Sequence, residues 1–290
     1  MHLIRTAVIG AGRLGQSLSL ALAAAGRPPV AVASRTPAHA QALAARVPGC
    51  RAMTLNEAVS AADLVLLTVP DDAIAPVAAS LPWRAGQFAV HCSGATELEA
   101  LAAAHSAGAL IGGFHPLQIF SDPERAASLL QGCSVAIEAE SPLLDALLAL
   151  AQTLGLRPLS LPPGVRAAYH GSANFAASFL LSMLDEVLQV WVQIGLLEPD
   201  NRENALQALL PMAQATLAAA GSKGLAGAQA GALSRGDVGV IERHLAALDV
   251  LGGEHGRFYR EFSRRQLSLA QASGRLDEAT LLRLKSALEG

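Results

Sequence analysis

Within the first fifteen residues a short apolar run, Thr6-Ala7-Val8-Ile9, meets glycines spaced G-x-G-x-x-G in Gly10-Ala11-Gly12-Arg13-Leu14-Gly15, and a helix-forming stretch continues through Ala25. No other feature of the chain narrows its fold as far. A strand that ends in this spacing and opens straight into a helix starts a βαβ unit. The first glycine permits the tight turn, the second lets a ligand approach the backbone, and the third lets helix and strand pack closely. The helix start presents free N–H groups, those of Arg13 and Leu14 among them, to an anion. The pattern predicts a dinucleotide site; a glycine-rich turn without a ligand is the plainer alternative.

The rest of the first half continues the rhythm. β-branched runs near 4–10, 29–34, 63–69, 87–92, 108–113 and 132–138 alternate with alanine- and leucine-rich segments at 13–25, 37–46, 71–80, 96–106 and 141–154. This predicts parallel strands joined by helices, a doubly wound sheet. A last strand is expected at Arg157 to Leu161, after which Pro162-Pro163-Gly164 breaks the chain. Beyond it the sequence reads as helices over 165–195, 201–220, 237–250, 254–272 and 276–288. Gly221 to Ala232 suits either a loop or close helix packing. The expectation is an α/β protein with an N-terminal Rossmann domain over 1–161 and an all-helical C-terminal domain over 162–290 for substrate and dimerisation.

Composition removes several functional classes. A net charge of −3 gives no reason to expect nucleic acid or an anionic membrane surface. The longest apolar candidate, Ala173 to Leu184, stops at Asp185-Glu186, short of a membrane span. The N-terminus enters a strand almost at once, leaving no room for a signal peptide, so a cytoplasmic location is expected. Cys50, Cys92 and Cys133 show no pairing pattern and read as reduced thiols. No metal-ligand spacing and no nucleophile motif is visible, so neither a metal nor an acyl-enzyme is expected. With 52% hydrophobic and only 16% charged residues, a homo-oligomer is expected to cover part of the surface.

About 20 residues past the glycines, NAD-selective proteins place an acid on the ribose. Here the second strand ends in Ser34-Arg35-Thr36. Arginine suits a 2′-phosphate, with the hydroxyls as further donors, so NADP(H) is favoured over NAD(H); a solvated arginine beginning a loop is the plainer alternative for Arg35. Further cofactor contacts are expected at strand ends, from Val69 and Pro70 and from Ser93 and Gly94.

Taken together, Val69-Pro70-Asp71-Asp72-Ala73-Ile74, His91-Cys92-Ser93-Gly94-Ala95, His115-Pro116-Leu117-Gln118, Tyr169-His170, Ser234-Arg235-Gly236-Asp237 and His244-Leu245 resemble the Rossmann-like proteins with a DUF2520 C-terminal domain. The resemblance spans nearly the whole chain. It implies kinship with the 6-phosphogluconate, 3-hydroxyisobutyrate, ketopantoate and pyrroline-5-carboxylate oxidoreductases, whose helical second domains often mediate dimerisation. Related hydroxyacid dehydrogenases carry a lysine and an asparagine four apart on the first helix of that domain. Here the lysine position holds His170, and Ser178 stands where the resemblance leads one to expect asparagine.

His170, Asn174 and Ser178 are spaced i, i+4, i+8, which on one continuous helix gives one face and a catalytic candidate, His170 acting as the acid. A satisfied core histidine is the competing reading. His115, before Pro116 at a strand end, either polarises a substrate carbonyl or completes a turn. Ser93 is also a substrate-site candidate. Arg235 and Asp237 either bind a substrate carboxylate or form a cap and ion pair. The expected function is hydride transfer between NADP(H) and a small carbonyl, hydroxy-acid or imine substrate in an interdomain cleft of a homodimer. A catalytically silent NADP(H) sensor and a dimeric scaffold with a vestigial site are the alternatives.

Overall fold

The computed structural model describes residues 4–289. The first half runs β1 (Thr6–Ile9), α1 (Arg13–Ala24), β2 (Ala31–Ala33), α2 (Pro37–Ala44), β3 (Arg51–Ala52), α3 (Leu55–Ala61), β4 (Leu64–Leu67), α4 (Asp71–Ser80), β5 (Phe88–His91), α5 (Ala102–Ser106), β6 (Leu110–Pro116), α6 (Pro123–Leu129), β7 (Ser134–Glu138), α7 (Leu143–Thr153) and β8 (Arg157–Ser160). The strands form one sheet in the order β3-β2-β1-β4-β5-β6-β7-β8. β1 to β6 are mutually parallel, the Rossmann arrangement, and the inner strands β1, β2, β4 and β5 are mostly apolar because helices cover both faces. Alternation along the strands sends Val8, Leu66, Val90 and Phe114 into a core layer with Leu18 of α1 and Leu147 of α7. Ala7, Ile9, Val65 and Leu67 face the opposite layer with Val59 and Ile74.

Three features depart from the sequence expectation. β7 pairs antiparallel with β6, and β8 runs parallel to β7. The helix between β6 and β7 has seven residues and rises only about 10 Å, too little to carry the chain back along a strand, so the chain re-enters the sheet from the edge where it left. The edge strand β3 is two exposed residues long and offers no apolar pattern to read. α3 did announce itself: Thr54 and Glu57 form a reciprocal capping box, the T-x-x-E signature of a helix start.

The chain next forms α8 (Arg166–Ala173), which belongs with the sheet: the compact units divide between Ala177 and Ser178 rather than at 161/162. The side chain of Arg166 is buried in the sheet unit, and that ties residues 162–177 to it. Residues 166–193 are long and apolar enough, by length and composition, to cross a membrane, contrary to the sequence expectation. They do not form one continuous helix. A 3-10 turn occupies Asn174–Ala176, and Ala177 leaves helical geometry at φ −120° and ψ −95°.

The second unit consists of α9 (Ser178–Gln193), α10 (Arg202–Ala228), α11 (Ala232–Arg235), α12 (Val238–Leu251), α13 (His255–Ala272) and α14 (Glu278–Glu289). Leu233, Ile241, Leu245, Ala270, Leu284 and Leu288 form its main core. Inside it the buried His255 bridges Glu186 Oε1 at 2.5 Å and Gln193 Nε2 at 2.9 Å. The glycine-rich stretch from Gly221 is largely helical, with a break at Gly224, where φ is 71°.

Candidate active site

All parallel strands leave the sheet at one edge, so the residues that follow β1, β2, β4, β5 and β6 gather there. At Gly10, φ is 113° and an added Cβ would lie 2.8 Å from the Thr68 carbonyl oxygen. The Thr68 hydroxyl fixes this turn by donating to the Gly10 carbonyl at 2.8 Å. A Cβ on Gly15 would fall 2.0 Å from the Gly10 oxygen, so only glycine lets α1 approach β1. At Gly12 the same Cβ would meet nothing within 4 Å. Packing within the chain does not require a glycine there; an open approach to the backbone does.

Beside Gly12 a cavity of about 630 Å³ is lined by Ser34, Arg35 and Thr36 after β2 and by Val69 and Pro70 after β4. α1 begins with no side-chain cap at Gly12 and no acid in its first turn, which leaves its amides open to an anion. The Arg13 and Leu14 side chains do not line this cavity, and Leu14 packs against the sheet core, so any contribution from these two is through their amides. His39, in the first turn of α2, lines the same cavity and was missed. Its place three residues after Thr36, just past the helix-starting Pro37, is the signal that points to it.

Further along the edge lies a buried polar row. His91, Gly113 and Glu138 are cross-strand neighbours on β5, β6 and β7. The guanidinium of Arg166, with no exposed surface, lies over Gly113, where a Cβ would sit 1.9 Å from Nη2. Arg166 Nε donates to Glu138 Oε2 at 2.6 Å and Nη1 to the Ser93 carbonyl at 3.0 Å. Glu97 fastens the start of α8, accepting from the Arg166 N–H at 3.0 Å and the Gly164 N–H at 3.2 Å. Neither Arg166 nor Glu138 was expected: arginine is ordinarily a surface residue, and nothing local in the sequence marks one as buried.

α8 carries Tyr169 and His170 three and four residues beyond Arg166, on the same helix face. Tyr169 Oη and His115 Nδ1 are hydrogen-bonded at 3.1 Å. The His170 ring meets His115 edge-on, with centroids 5.6 Å apart. Gly94 permits this packing, since a Cβ there would lie 2.4 Å from His170 Cδ2 and 2.8 Å from His115 Cε1. Burial, helped by the Arg166 charge, pushes His91 down to about 3. Burial first, then the charges of His170 and Arg166, brings His115 down to about 4, against a small opposing pull from Asp71. Both imidazoles are neutral at pH 7. Burial raises the Tyr169 phenol, with Arg166 acting in the opposite direction. Burial also drives the Cys92 thiol up to about 12, which removes it as a nucleophile.

The remaining sequence candidates have local partners and settings of their own. Ser93 donates its hydroxyl to Thr96 Oγ1 at 2.9 Å and accepts from the Ala95 and Thr96 N–H groups, so the hydroxyl is committed to a turn. His170, Asn174 and Ser178 do not share a helix face, because the helix that would align them is interrupted at Ala177; Asn174 is half-buried in the 3-10 turn and Ser178 opens α9. Arg235 pairs with its neighbour Asp237 at 3.0 Å on an exposed surface, and Asp237 makes no side-chain cap to α12.

Comparison with known proteins adds to this geometry. Residues 5–93 match the model of the coenzyme F420-dependent NADP oxidoreductases, and residues 133–266 match the model of DUF2520, a domain of unknown function. The chain carries a DUF2520 domain. That domain supplies Glu138, Arg166, Tyr169 and His170, whereas His91 and Ser93 belong to the oxidoreductase-type segment. No curated protein matches the chain. Among solved structures, a candidate NADP oxidoreductase from Bacteroides fragilis is 26% identical, with a TM-score of 0.69 over 92% of this chain and 98% of that one. A Thermotoga maritima protein is 21% identical, with a TM-score of 0.74 over 93% and 100%. The imine reductase of Myxococcus stipitatus, solved with NADP+, shares the fold at 20% identity, with a TM-score of 0.61 over 97% and 99%.

Proposed function

We propose that this chain is an NADP(H)-dependent oxidoreductase acting on a small carbonyl, hydroxy-acid or imine substrate. The observation that carries the reading is the open backbone at Gly12 beside Arg35, on the same sheet edge as the hydrogen-bonded His115–Tyr169 pair. The amides at the start of α1 suit the pyrophosphate, and Arg35, with Ser34 and Thr36, suits a 2′-phosphate. When bound, the reduced nicotinamide supplies a hydride. The protein's share is to hold the acceptor and deliver a proton, and His115, Tyr169 and His170 are titratable groups that meet at the edge. The names of the Bacteroides fragilis and Myxococcus stipitatus proteins agree with this class.

Fluorescence titration with NADPH and NADH tests the cofactor assignment. NADPH is expected to bind the more tightly, and Arg35→Ala to weaken NADPH by about 10- to 100-fold while leaving NADH nearly unchanged, as loss of charge-assisted hydrogen bonds requires. Absence of binding by either cofactor overturns the reading. Binding without turnover across a carbonyl and imine panel favours a sensor instead.

Self-association through the helical half belongs to the same proposal. Leu181 on α9 and Met212, Leu217 and Leu225 on α10 are exposed large apolar side chains that a partner copy would cover. Sedimentation of the full chain is expected to give a dimer. A monomer, or a chain that partitions into vesicles, argues against it.

A further inference from the structure

Among the described groups at the sheet edge, the hydrogen-bonded Tyr169–His115 pair is both oriented and only half-buried. His91 is fully buried. His170 is exposed, and no hydrogen bond among the described residues orients its ring. Tyr169 is half-buried, held at 3.1 Å by His115 Nδ1 and carried by a helix whose start is fastened through Arg166 and Glu97. We propose that the Tyr169 hydroxyl gives the proton to the carbonyl oxygen of the substrate, with His115 as its relay to solvent and Arg166 as the positioning residue. This rests on the oxidoreductase reading and adds the proton path to it.

The step balances as follows. When the carbon of the C=O group is reduced, the π pair moves onto oxygen, the Tyr169 O–H bond breaks and a new O–H bond forms on the substrate. Tyr169 Oη takes a proton from His115 Nδ1 while His115 Nε2 takes one from water, so one solvent proton is consumed per turnover. A neutral imidazole suits this work, because it can release a proton at one nitrogen as it gains one at the other. The groups facing His115 are Tyr169, His170 and Arg166 of α8, His91 of β5 and Asp71 at the start of α4. The Arg166 charge favours the tyrosinate that forms in passing.

The test uses the full chain with NADPH, cyclohexanone and 2-methyl-1-pyrroline. The ketone needs a donated proton, whereas the cyclic imine takes its own from water. Tyr169→Phe is expected to lower ketone reduction by about 100-fold and imine reduction by less than about tenfold, with NADPH affinity unchanged. A second readout does not depend on turnover: in protein with nitrogen-15-labelled histidine, the His115 Nδ1 resonance is expected to move on Tyr169→Phe while the circular dichroism spectrum stays the same. Ketone reduction that survives Tyr169→Phe, equal losses on both probes, or an unmoved His115 resonance overturns the proposal. A wild-type chain that binds no NADPH overturns the oxidoreductase reading instead.

Discussion

The glycine-rich cradle after β1 and the polar row across β5, β6 and β7 stand on one sheet edge, yet they hold their polar groups in opposite ways. In the cradle the amides of α1 and the Arg35 side chain lie open, and the Gly12 Cα faces empty space. In the row the Arg166 guanidinium is enclosed and its bonds run to Glu138 and Ser93. The same residue type therefore does different work. An exposed arginine is available to a ligand and adds little to stability, whereas an enclosed one is part of the fold and becomes costly once its partner is lost.

The largest effect that separates the two regions follows from breaking the enclosed pair. Arg166→Ala leaves Glu138 as an uncompensated buried charge and is expected to cost about 3–5 kcal/mol in urea unfolding, while Arg35→Ala stays within about 0.5 kcal/mol. The paired replacement Arg166→Met with Glu138→Leu should recover most of that loss; a double variant as unstable as Arg166→Ala would mean that packing, rather than charge, governs the site.

Acid should also act through the buried His91 of the row and its neighbour His115. His91 and His115 ionise at about 3 and about 4 in the folded chain, against 6.5 when free. Above pH 6.5 neither affects stability. As the pH falls from 6.5 towards 3, the unfolded chain takes up protons that the folded chain refuses, and stability is expected to drop by on the order of a few kcal/mol. Unfolding midpoints measured across this window check the sign. His91→Leu should flatten the profile at little cost near neutrality, because no hydrogen bond among the described residues is lost.

The smallest effect contrasts two glycines. Gly113→Ala drives a methyl group into the Arg166 guanidinium and is expected to cost about 1–3 kcal/mol. Gly12→Ala should leave the unfolding curve almost unmoved and abolish NADPH binding. Denaturation and titration of both variants would expose any mixing of the two roles.

The same division explains what could be read in advance. The cradle is local: its glycines, its strand and its arginine follow one another within thirty residues, so the Rossmann half and its cofactor class were legible. The row is assembled by register. His91, Glu138 and Arg166 come from three stretches of chain, and only the pairing of β5, β6 and β7 brings them together. Local spacing was also misleading where a backbone break intervened, since the periodicity from His170 to Ser178 presumes a helix that Ala177 ends. The capping box at Thr54 and Glu57, by contrast, was written in the sequence and overlooked.

The DUF2520 segment begins at residue 133, immediately before β7, whose ladder partner on one side is β6. Separated at that point, the downstream piece would carry β7 and β8 with a bare edge of unpaired N–H and C=O groups, and the upstream piece would expose β6 in the same way. The start of the DUF2520 segment is thus a seam through a sheet. A protein engineer seeking two self-sufficient fragments would do better to cut between Ala177 and Ser178, where no strand is parted from its neighbour.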